Sequence, residues 1–319
     1  MHGSQQFSNP LLSIIWLGAR TTLGIAVVCA LTVVLTQPAQ AQTYSVIHNF
    51  TGGLDGKNPY AGLTMDAAGN LYGTTCGANC LAGGSNGGTV FRLSKKGSGW
   101  FFTPLYTFGG GNDGAGPVAR VIIGPNGSLY GTTVWGGGSG CGGTGCGTVF
   151  NLRPPPSVPP NVFGGWTETV LHRFQGGNDG ANPAFGDLVF DQSGNIYGTT
   201  QSGGSGGSGT VFELTPSSGG WMENVLFSFG CCDGVEPQAG VIFDSAGNLY
   251  GTALAGGDWG WGTVFELTPS ASGWTETTLH NFEGGNDGQY PIGGLTQGAY
   301  GIIGTTSIGV RMEAAPLSC

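Results

Sequence analysis

Short apolar runs alternate with glycine-rich polar segments from about residue 43 onward, and the pattern returns five times. Each unit holds four runs rich in Val, Ile, Leu, Phe, Tyr and Trp, which is typical of β-strands bounded by turns. We name these strands A to D in chain order. In the third unit they are predicted over residues 184–190, 196–200, 210–214 and 222–229. Four antiparallel strands per unit, without helical periodicity, are typical of a propeller blade.

Strand B carries a repeated word whose clearest form is Tyr-Gly-Thr-Thr. The word returns every 53 to 67 residues, and a period near 50 is typical of a propeller or a solenoid. It lies at residues 70–75, 128–133, 195–200, 248–253 and, in a weaker copy, 301–306. The five repeats then span about residues 43–101, 102–168, 169–223, 224–276 and 277–313.

The two ends of the repeat predict how many blades there are. Residues 44–50 read as a strand D with no A, B or C before it, whereas the last unit has A near 291–297, B near 300–306 and C near 307–313 but no D. A strand at 44–50 that completes the C-terminal blade would close the ring and remove exposed sheet edges. We therefore predict an all-β, five-bladed β-propeller of four-stranded blades. The alternative is a truncated piece of a longer propeller.

The repeated words resemble two known families. Asp-x-x-Gly-Asn-Leu-Tyr, as in residues 66–72, is similar to the first hairpin of NHL-type propeller blades. The longer pattern, with Gly-Thr-Val-Phe and a following tryptophan, resembles the tandem repeat of secreted bacterial proteins called choice-of-anchor GloVer-containing, over nearly all of residues 43–313. That family is defined by its repeat and its varied surface anchors, so the resemblance implies a location and a fold but no activity. Residues 307–319 depart from it, with no sorting signal and no apolar tail.

Residues 1–41 lie outside the repeat and have the composition of a secretory signal. Arg20 precedes the apolar run 23–35, and Ala39-Gln40-Ala41 is an A-x-A cleavage site. We expect cleavage after Ala41, leaving residues 42–319 as a single propeller domain without membrane insertion. Secretion to the extracellular space or to a bacterial cell surface follows. An uncleaved membrane anchor is the alternative.

Composition narrows the range of partners. Only 8% of the 319 residues are charged, 66 are glycine, and the net charge is −9. Nucleic acid and anionic membrane surfaces call for basic patches, so neither is expected. A polysaccharide or an envelope component remains as the expected partner of a monomer.

The spacing of the cysteines predicts two disulfides, each within a single loop. Cys76 and Cys80 lie close together, as do Cys141 and Cys146, in equivalent glycine-rich loops between strands B and C. Disulfides persist outside the cytoplasm, so both pairs are expected to be bonded. Zinc is the competing interpretation. The pairing of Cys231, Cys232 and Cys319 stays open.

One aspartate per unit lies in the loop from strand D to the next strand A. Five carboxylates on one face would suit a hard cation such as calcium, the single cofactor considered. The alternative is turn chemistry, since Asn-Asp-Gly favours tight turns by local hydrogen bonds. The candidate metal ligands are Asp55, Asp113, Asp179, Asp233 and Asp287.

Aromatic residues on the same face are the candidate ligand contacts. Trp135, Trp259 and Trp261 lie in B–C loops and are not repeated, while Tyr60 and Tyr290 stand near the starts of strands A. Isolated aromatic side chains on loops suit sugar rings better than aromatics repeated once per unit, which favour packing. The repeated set is Trp100, Trp166, Trp221 and Trp274.

No catalytic residue is predicted. His48, His172 and His280 share a strand D position with Tyr106 and Phe227, which indicates packing. The sequence therefore favours a polysaccharide-binding or adhesion module. An extracellular hydrolase or lyase using non-repeated acids such as Asp187, Glu236 and Asp258 is one alternative, and a purely structural envelope protein is the other.

Overall fold

The computed structural model describes residues 44–77, 87–156, 165–299 and 301–309. The predicted signal at 1–41, Cys80, Cys319 and the end of the predicted last strand C lie outside these residues. Every strand below lies in the compact unit that begins at Ile47. Across the described ranges, no helix is long and apolar enough to cross a membrane.

Four antiparallel four-stranded sheets follow one another along the chain, each with its strands in sequential order. Sheet 1 contains β1 (Thr64–Met65), β2 (Leu71–Thr75), β3 (Thr89–Lys96) and β4 (Gly99–Thr107). Sheet 2 contains β5 (Ile122–Ile123), β6 (Leu129–Thr133), β7 (Thr148–Arg153) and β8 (Thr167–Arg173). Sheet 3 contains β9 (Val189–Phe190), β10 (Ile196–Thr200), β11 (Thr210–Ser217) and β12 (Gly220–Ser228). Sheet 4 contains β13 (Ile242–Phe243), β14 (Leu249–Ala253), β15 (Thr263–Ser270) and β16 (Gly273–Asn281).

The fifth sheet has two strands, β17 (Thr296–Gly298) and β18 (Gly301–Ile303), instead of the predicted four. Residues 44–50, predicted as a strand, have no strand pairing. The predicted strand near 307–313 is absent over its described residues 307–309 apart from a single bridge at Ile308. The described residues thus form five sheets without a closed ring.

Strand A of sheet 3 is shorter than predicted. Only Val189 and Phe190 pair with β10, whereas the prediction began at residue 184. Strand A also has two residues in the other three complete sheets. Each of these strands follows a proline, and Pro183 of sheet 3 has no N–H for a ladder.

Each residue of Tyr-Gly-Thr-Thr makes a different contact that holds the sheets together. In sheet 3, Tyr197 donates its hydroxyl hydrogen to Asp191 and Glu213, and a Cβ on Gly198 would lie 2.6 Å from the ring of Phe212. Thr199 donates to the carbonyl of Ala239 in the next unit. Thr200 shares a 2.8 Å hydrogen bond with Thr210 on β11. The word recurs because most of the sheets use it to hold their own strands together and to bond to the next unit. Sheets 2 and 4 depart from this, since Thr132 Oγ1 has no hydrogen-bond partner among the described residues and Ala253 replaces the second threonine.

The A–B turn is closed by one aspartate. The Asp191 carboxylate accepts hydrogen bonds from the backbone N–H groups of Ser193 and Asn195 and from the Asn195 side chain. Asp66 and Asp244 do the same in sheets 1 and 4. Sheet 2 has Gly124-Pro125-Asn126-Gly127 here and closes the turn with backbone bonds alone.

Phenylalanine pairs join neighbouring sheets. The ring of Phe174, just after β8, lies 5.2 Å from that of Phe212 on β11, and the Phe108–Phe150 and Phe229–Phe265 centroids are 5.0 Å apart. Each apolar cluster therefore spans two units. Trp166, Trp221 and Trp274 pack against the same clusters, in agreement with the packing role predicted for them.

Candidate functional site

The residue before a proline joins neighbouring units at one face of the sheets. It adopts a left-handed backbone in all five units, with φ between 55° and 67°. Its carbonyl accepts from the first residue of its own B–C loop, as in Gln201 N–H to Asn182 O at 3.0 Å. Its N–H, in the last four units, donates to the preceding unit's B–C loop, as in Asn182 N–H to Cys146 O at 2.7 Å. We call these the bridging residues: Asn58, Gly116, Asn182, Glu236 and Tyr290.

The bridging residues share a backbone and differ in side chain. Four of them are not glycine, and a left-handed conformation is uncommon for such residues. The cost is tolerated because two backbone hydrogen bonds hold each of the last four in place. A constant frame that displays different side chains is the arrangement from which a selective site is built.

A pocket of about 330 Å³ opens at this frame, across units 2, 3 and 4. Its volume lies at the lower end of the range usual for small-molecule sites. We call it the mouth pocket. It is lined by Val134, Trp135, Asn182, Ala184, Phe185, Gln201, Ser202 and Glu236.

Hydrogen bonds fix the polar side chains of the mouth pocket. Asn182 donates from Nδ2 to the Val134 carbonyl at 3.0 Å and accepts from the Ser202 hydroxyl at 2.9 Å. Gln201 donates from Nε2 to Oε2 of Glu236 at 3.2 Å. Amide, hydroxyl and carboxylate groups from units 3 and 4 thus line one cavity, and hydrogen bonds hold most of them in place.

Three aromatic side chains accompany these polar groups. Trp135 and Phe185 are half-buried and pack on the apolar cluster that includes Val134 and Ala184. The exposed ring of Tyr60 lies 6.5 Å from Phe185 in an edge-to-face arrangement. Of the predicted ligand contacts, the structure therefore brings Trp135 and Tyr60 to the same pocket region.

The other three predicted contacts lie elsewhere. Trp261 and Tyr290 form an edge-to-face pair with centroids 5.4 Å apart. Trp259 is 60% exposed. These residues belong to the B–C loop of unit 4 and the start of unit 5, and none of them lines the mouth pocket.

Four of the five predicted metal aspartates accept hydrogen bonds from their own loops or from the strand that precedes the loop. The Asp179 carboxylate accepts the Gln175 N–H and contacts His172 Nε2 at 3.0 Å. Asp113, Asp55 and Asp287 take up equivalent partners in their units. Among the described residues, no three His, Cys, Asp or Glu side chains are placed to hold one metal ion. These contacts are local hydrogen bonds of the kind that the turn alternative predicts.

The histidine position does more than pack. His48, His172 and His280 each contact the aspartate of the following loop, and Tyr106 donates to Asp113 at 2.6 Å. We call this contact the loop latch. Phe227, in unit 4, has no polar hydrogen and cannot form the loop latch. The prediction that this position serves packing alone therefore holds for one unit of the five.

A charged pair lies beside the mouth pocket. Arg120 contacts Asp187 through its backbone N–H, Nε and a terminal guanidinium nitrogen, the last at 2.7 Å. Burial raises the pKa of Asp187, and the guanidinium opposes this shift. Asp187 is therefore tied to an arginine of the neighbouring unit and lines a separate, smaller cavity.

The cysteines fall into two groups. A disulfide joins Cys141 and Cys146. Cys76 is buried and disulfide-bonded, and its predicted partner Cys80 lies outside the described residues. Cys231 and Cys232 are free, exposed thiols.

Sequence reasoning missed Asn182, Phe185, Gln201 and Ser202. The signal was present, because the residue before proline and the two residues after Thr-Thr change from unit to unit at fixed positions. In a repeat, such variable positions on a constant frame mark where one unit differs in function. Glu236 was noted as a non-repeated acid, but its place beside Gln201 depends on contact between units.

The family profile that matches the chain is that of the Gloeobacter/Verrucomicrobia repeat. It matches residues 32–221 and 145–314 and thus nearly the whole repeat region. No curated protein sequence matches the chain.

Solved structures with similar chain traces include two enzymes of sugar chemistry. One, assigned as an oxidoreductase (glucose dehydrogenase) from Thermus thermophilus, is 18% identical with a TM-score of 0.47, covering 85% of this chain and 83% of that one. The other, an α-L-arabinofuranosidase from Lactobacillus brevis, is 12% identical with a TM-score of 0.46, covering 80% and 85%. At this level of similarity neither one bears on the function of this chain.

Proposed function

The chain belongs to the Gloeobacter/Verrucomicrobia repeat family, and we propose that it is a secreted or cell-surface module that binds polysaccharide at the mouth pocket. Its role is adhesion or retention of a glycan at the bacterial envelope.

The observation that carries this proposal is the mixed lining of the mouth pocket. Trp135 and Phe185 offer apolar faces, and Asn182, Gln201 and Ser202 offer donors and acceptors held by hydrogen bonds. Sugars present apolar C–H faces and a rim of hydroxyl groups, so they need both kinds of contact at once. Preorganised polar groups also reduce the entropy cost of binding.

The placement of the acids favours binding over hydrolysis. A glycoside hydrolase of the usual kind uses two carboxylates that flank the scissile bond. Glu236 is the one acid among the described residues that line the mouth pocket. Asp187 is held by Arg120 in another cavity, and Asp258 contacts Asn281.

The differences among the units favour binding over a purely structural role. A structural repeat gains nothing from replacing Asn58 with Glu236 or Tyr290 at one position. Those replacements leave the bridging backbone left-handed in every unit and change the side chains that the units present at this face.

We also propose that the ring closes as a five-bladed propeller in which residues 44–50 serve as the outer strand of the last blade. The ring of Phe50 lies 5.2 Å from that of Phe91 on β3. This repeats the contact that Phe174 makes with Phe212. Phe50 therefore contacts sheet 1 in the same way as the phenylalanine at the end of a preceding strand D would.

A glycan array tests the function. The purified protein is applied to neutral, acidic and amino-sugar polysaccharides with calcium and then with EDTA. We expect binding to a restricted set of glycans that survives EDTA, because the mouth pocket contains no predicted metal ligand. Binding lost in EDTA would move the site to the aspartate loops, and release of sugar from any arrayed polymer would favour the hydrolase.

A further inference from the structure

The loop that follows β12, at the start of unit 4, differs from the loops at the same place in the other units. It is one residue shorter, since Asp233 lies four residues after Phe229 whereas Asp179 lies five after Phe174. Phe227 cannot form the loop latch. Ala253 replaces the threonine whose hydroxyl bonds to a strand C threonine at 2.7–2.8 Å in units 1 to 3, and the strand C threonine of unit 4, Thr263, donates instead to the Asp233 carbonyl at 3.2 Å.

This same loop carries the Cys231-Cys232 pair. The equivalent loops of units 2, 3 and 5 have Gly-Asn here, with the glycine left-handed at φ 56° to 60°, and fold as a 3-10 turn that the unit 4 loop does not form. The two Sγ atoms are 3.4 Å apart, and both residues are exposed. The thiols are thus already nearly in contact and are open to a small reagent.

We propose that Cys231 and Cys232 form a reversible vicinal disulfide that takes the place of the missing loop latch. A thiolate of one cysteine attacks a small-molecule disulfide of the glutathione class and releases one thiol. The second cysteine then attacks the mixed disulfide and releases the other thiol. Two S–H bonds are lost, one Sγ–Sγ bond forms, and the two electrons and two protons end on the two small thiols.

Geometry makes this bond easy to reduce. Adjacent Cα atoms across a trans peptide are about 3.8 Å apart, less than the roughly 4.4–6.8 Å usual for disulfides. Such a ring is strained, and strained exposed disulfides are the ones that respond to the surrounding redox poise. The structural Cys141–Cys146 bond, whose Cys146 is fully buried, provides an internal comparison.

The pKa of the Cys232 thiol influences how the thiol–disulfide exchange depends on pH. The hydrogen bond with Cys231, followed by the charges of Cys231, Asp233 and Asp258, raises the pKa of the Cys232 thiol. Because the thiolate is the attacking species, exchange becomes faster as the pH rises.

The loop leads directly to the mouth pocket. Gly234 is followed after one residue by Glu236, whose N–H and carbonyl join units 3 and 4. A disulfide between Cys231 and Cys232 therefore restrains the segment that positions Glu236, the acid that lines the mouth pocket. This part of the inference rests on the proposed function, whereas disulfide formation does not.

The test starts from folded protein with the two thiols reduced and uses oxidised glutathione as the probe. After chymotrypsin, mass spectrometry of the fragment that begins at Gly230 reports both cysteines. We expect this fragment to become lighter by two hydrogen atoms, with no glutathione attached, and to revert on mild reduction. Cys231→Ser should instead accumulate a stable glutathione adduct at Cys232, because no neighbouring thiol resolves it.

Three results would overturn the proposal: both thiols remaining free to alkylate, a lasting glutathione adduct on the wild type, or cross-linking between two molecules. Hydrogen exchange gives a second readout without any variant. Oxidation should slow exchange at Val235 and Glu236 and leave Asn182 unchanged, and equal rates in both redox states would also contradict it. Failure of glycan binding would leave each of these readouts unaffected.

Discussion

At the scale of the residue, the repeat is explained by a few contacts, each of which recurs in at least three of the four complete sheets. Tyr197 binds the turn aspartate, Gly198 admits the ring of Phe212, and Thr199 and Thr200 bond to the next unit and the next strand. The sequence alone showed that these residues recur, but it could not distinguish residues that bind a ligand from residues that hold the fold together. The recurring residues mostly hold the fold together, and the mouth pocket is formed by residues that differ between units.

A substitution at Gly198 tests this assignment. Alanine there would put a Cβ 2.6 Å from Phe212 Cζ and 2.8 Å from Leu188 Cδ2. We expect Gly198→Ala to lower the free energy of unfolding by about 1–3 kcal/mol, as overpacking of a core does. Gly219→Ala, where no atom lies within 4 Å of the added Cβ, should change it by less than about 0.5 kcal/mol. Urea titration measures both, and equal losses would contradict the assignment.

At the scale of the element, sheets meet through strand D and the loop that follows it. The prediction for β10 matched its bounds, because the repeated Tyr-Gly-Thr-Thr word lies between two glycine-containing turn segments that mark its ends. The strand A predictions were too long, since an apolar run does not show where pairing begins. The loop latch was also missed, because a position that accepts His, Tyr and Phe looks apolar in sequence.

Two glutamates at the junctions between sheets predict how stability depends on pH. Burial, aided by the Asp113 carboxylate, raises the pKa of Glu168 to about 7. Burial and Asp179 raise that of Glu223 to about 7, although His172 opposes the shift. The folded state then holds protons that the unfolded chain loses from about pH 4.5, so stability falls as the pH rises from about 4.5 to 7.

The matching variants are Glu168→Gln and Glu223→Gln. We expect the wild type to be less stable at pH 8 than at pH 5, and the double variant to recover about 1–2 kcal/mol at pH 8 after allowance for partial exposure. At pH 4 the variant and the wild type should differ little. Urea titrations at the three pH values decide this, and a wild type that gains stability up to pH 8 would refute it.

At the scale of the whole molecule, the open question is whether the five sheets close. The repeat predicted five units, and the described residues form five sheets, the last with two strands. A repeat count follows from sequence, but closure depends on contacts between the ends of the chain. The Phe50 contact with Phe91 is the observation that supports it.

Phe50 gives a direct test of closure. If residues 44–50 complete the last blade, Phe50 is buried like Phe108, and Phe50→Ala should cost about 3–5 kcal/mol, as Phe108→Ala does. In an open arrangement the loss at Phe50 would be well under half of that at Phe108. Urea unfolding of the two variants compares them under the same conditions.

The measurement that tests the central claim most directly is the affinity of Trp135→Ala for the glycan that the array selects, set against Trp259→Ala. Both remove one tryptophan from a B–C loop, and Trp135 alone of the two lines the mouth pocket. By isothermal titration we expect Trp135→Ala to weaken binding at least about tenfold, which corresponds to about 1.4 kcal/mol, and Trp259→Ala to leave it within about twofold. An unchanged affinity in folded Trp135→Ala, or a loss confined to Trp259→Ala, would contradict the assignment of the mouth pocket as the binding site.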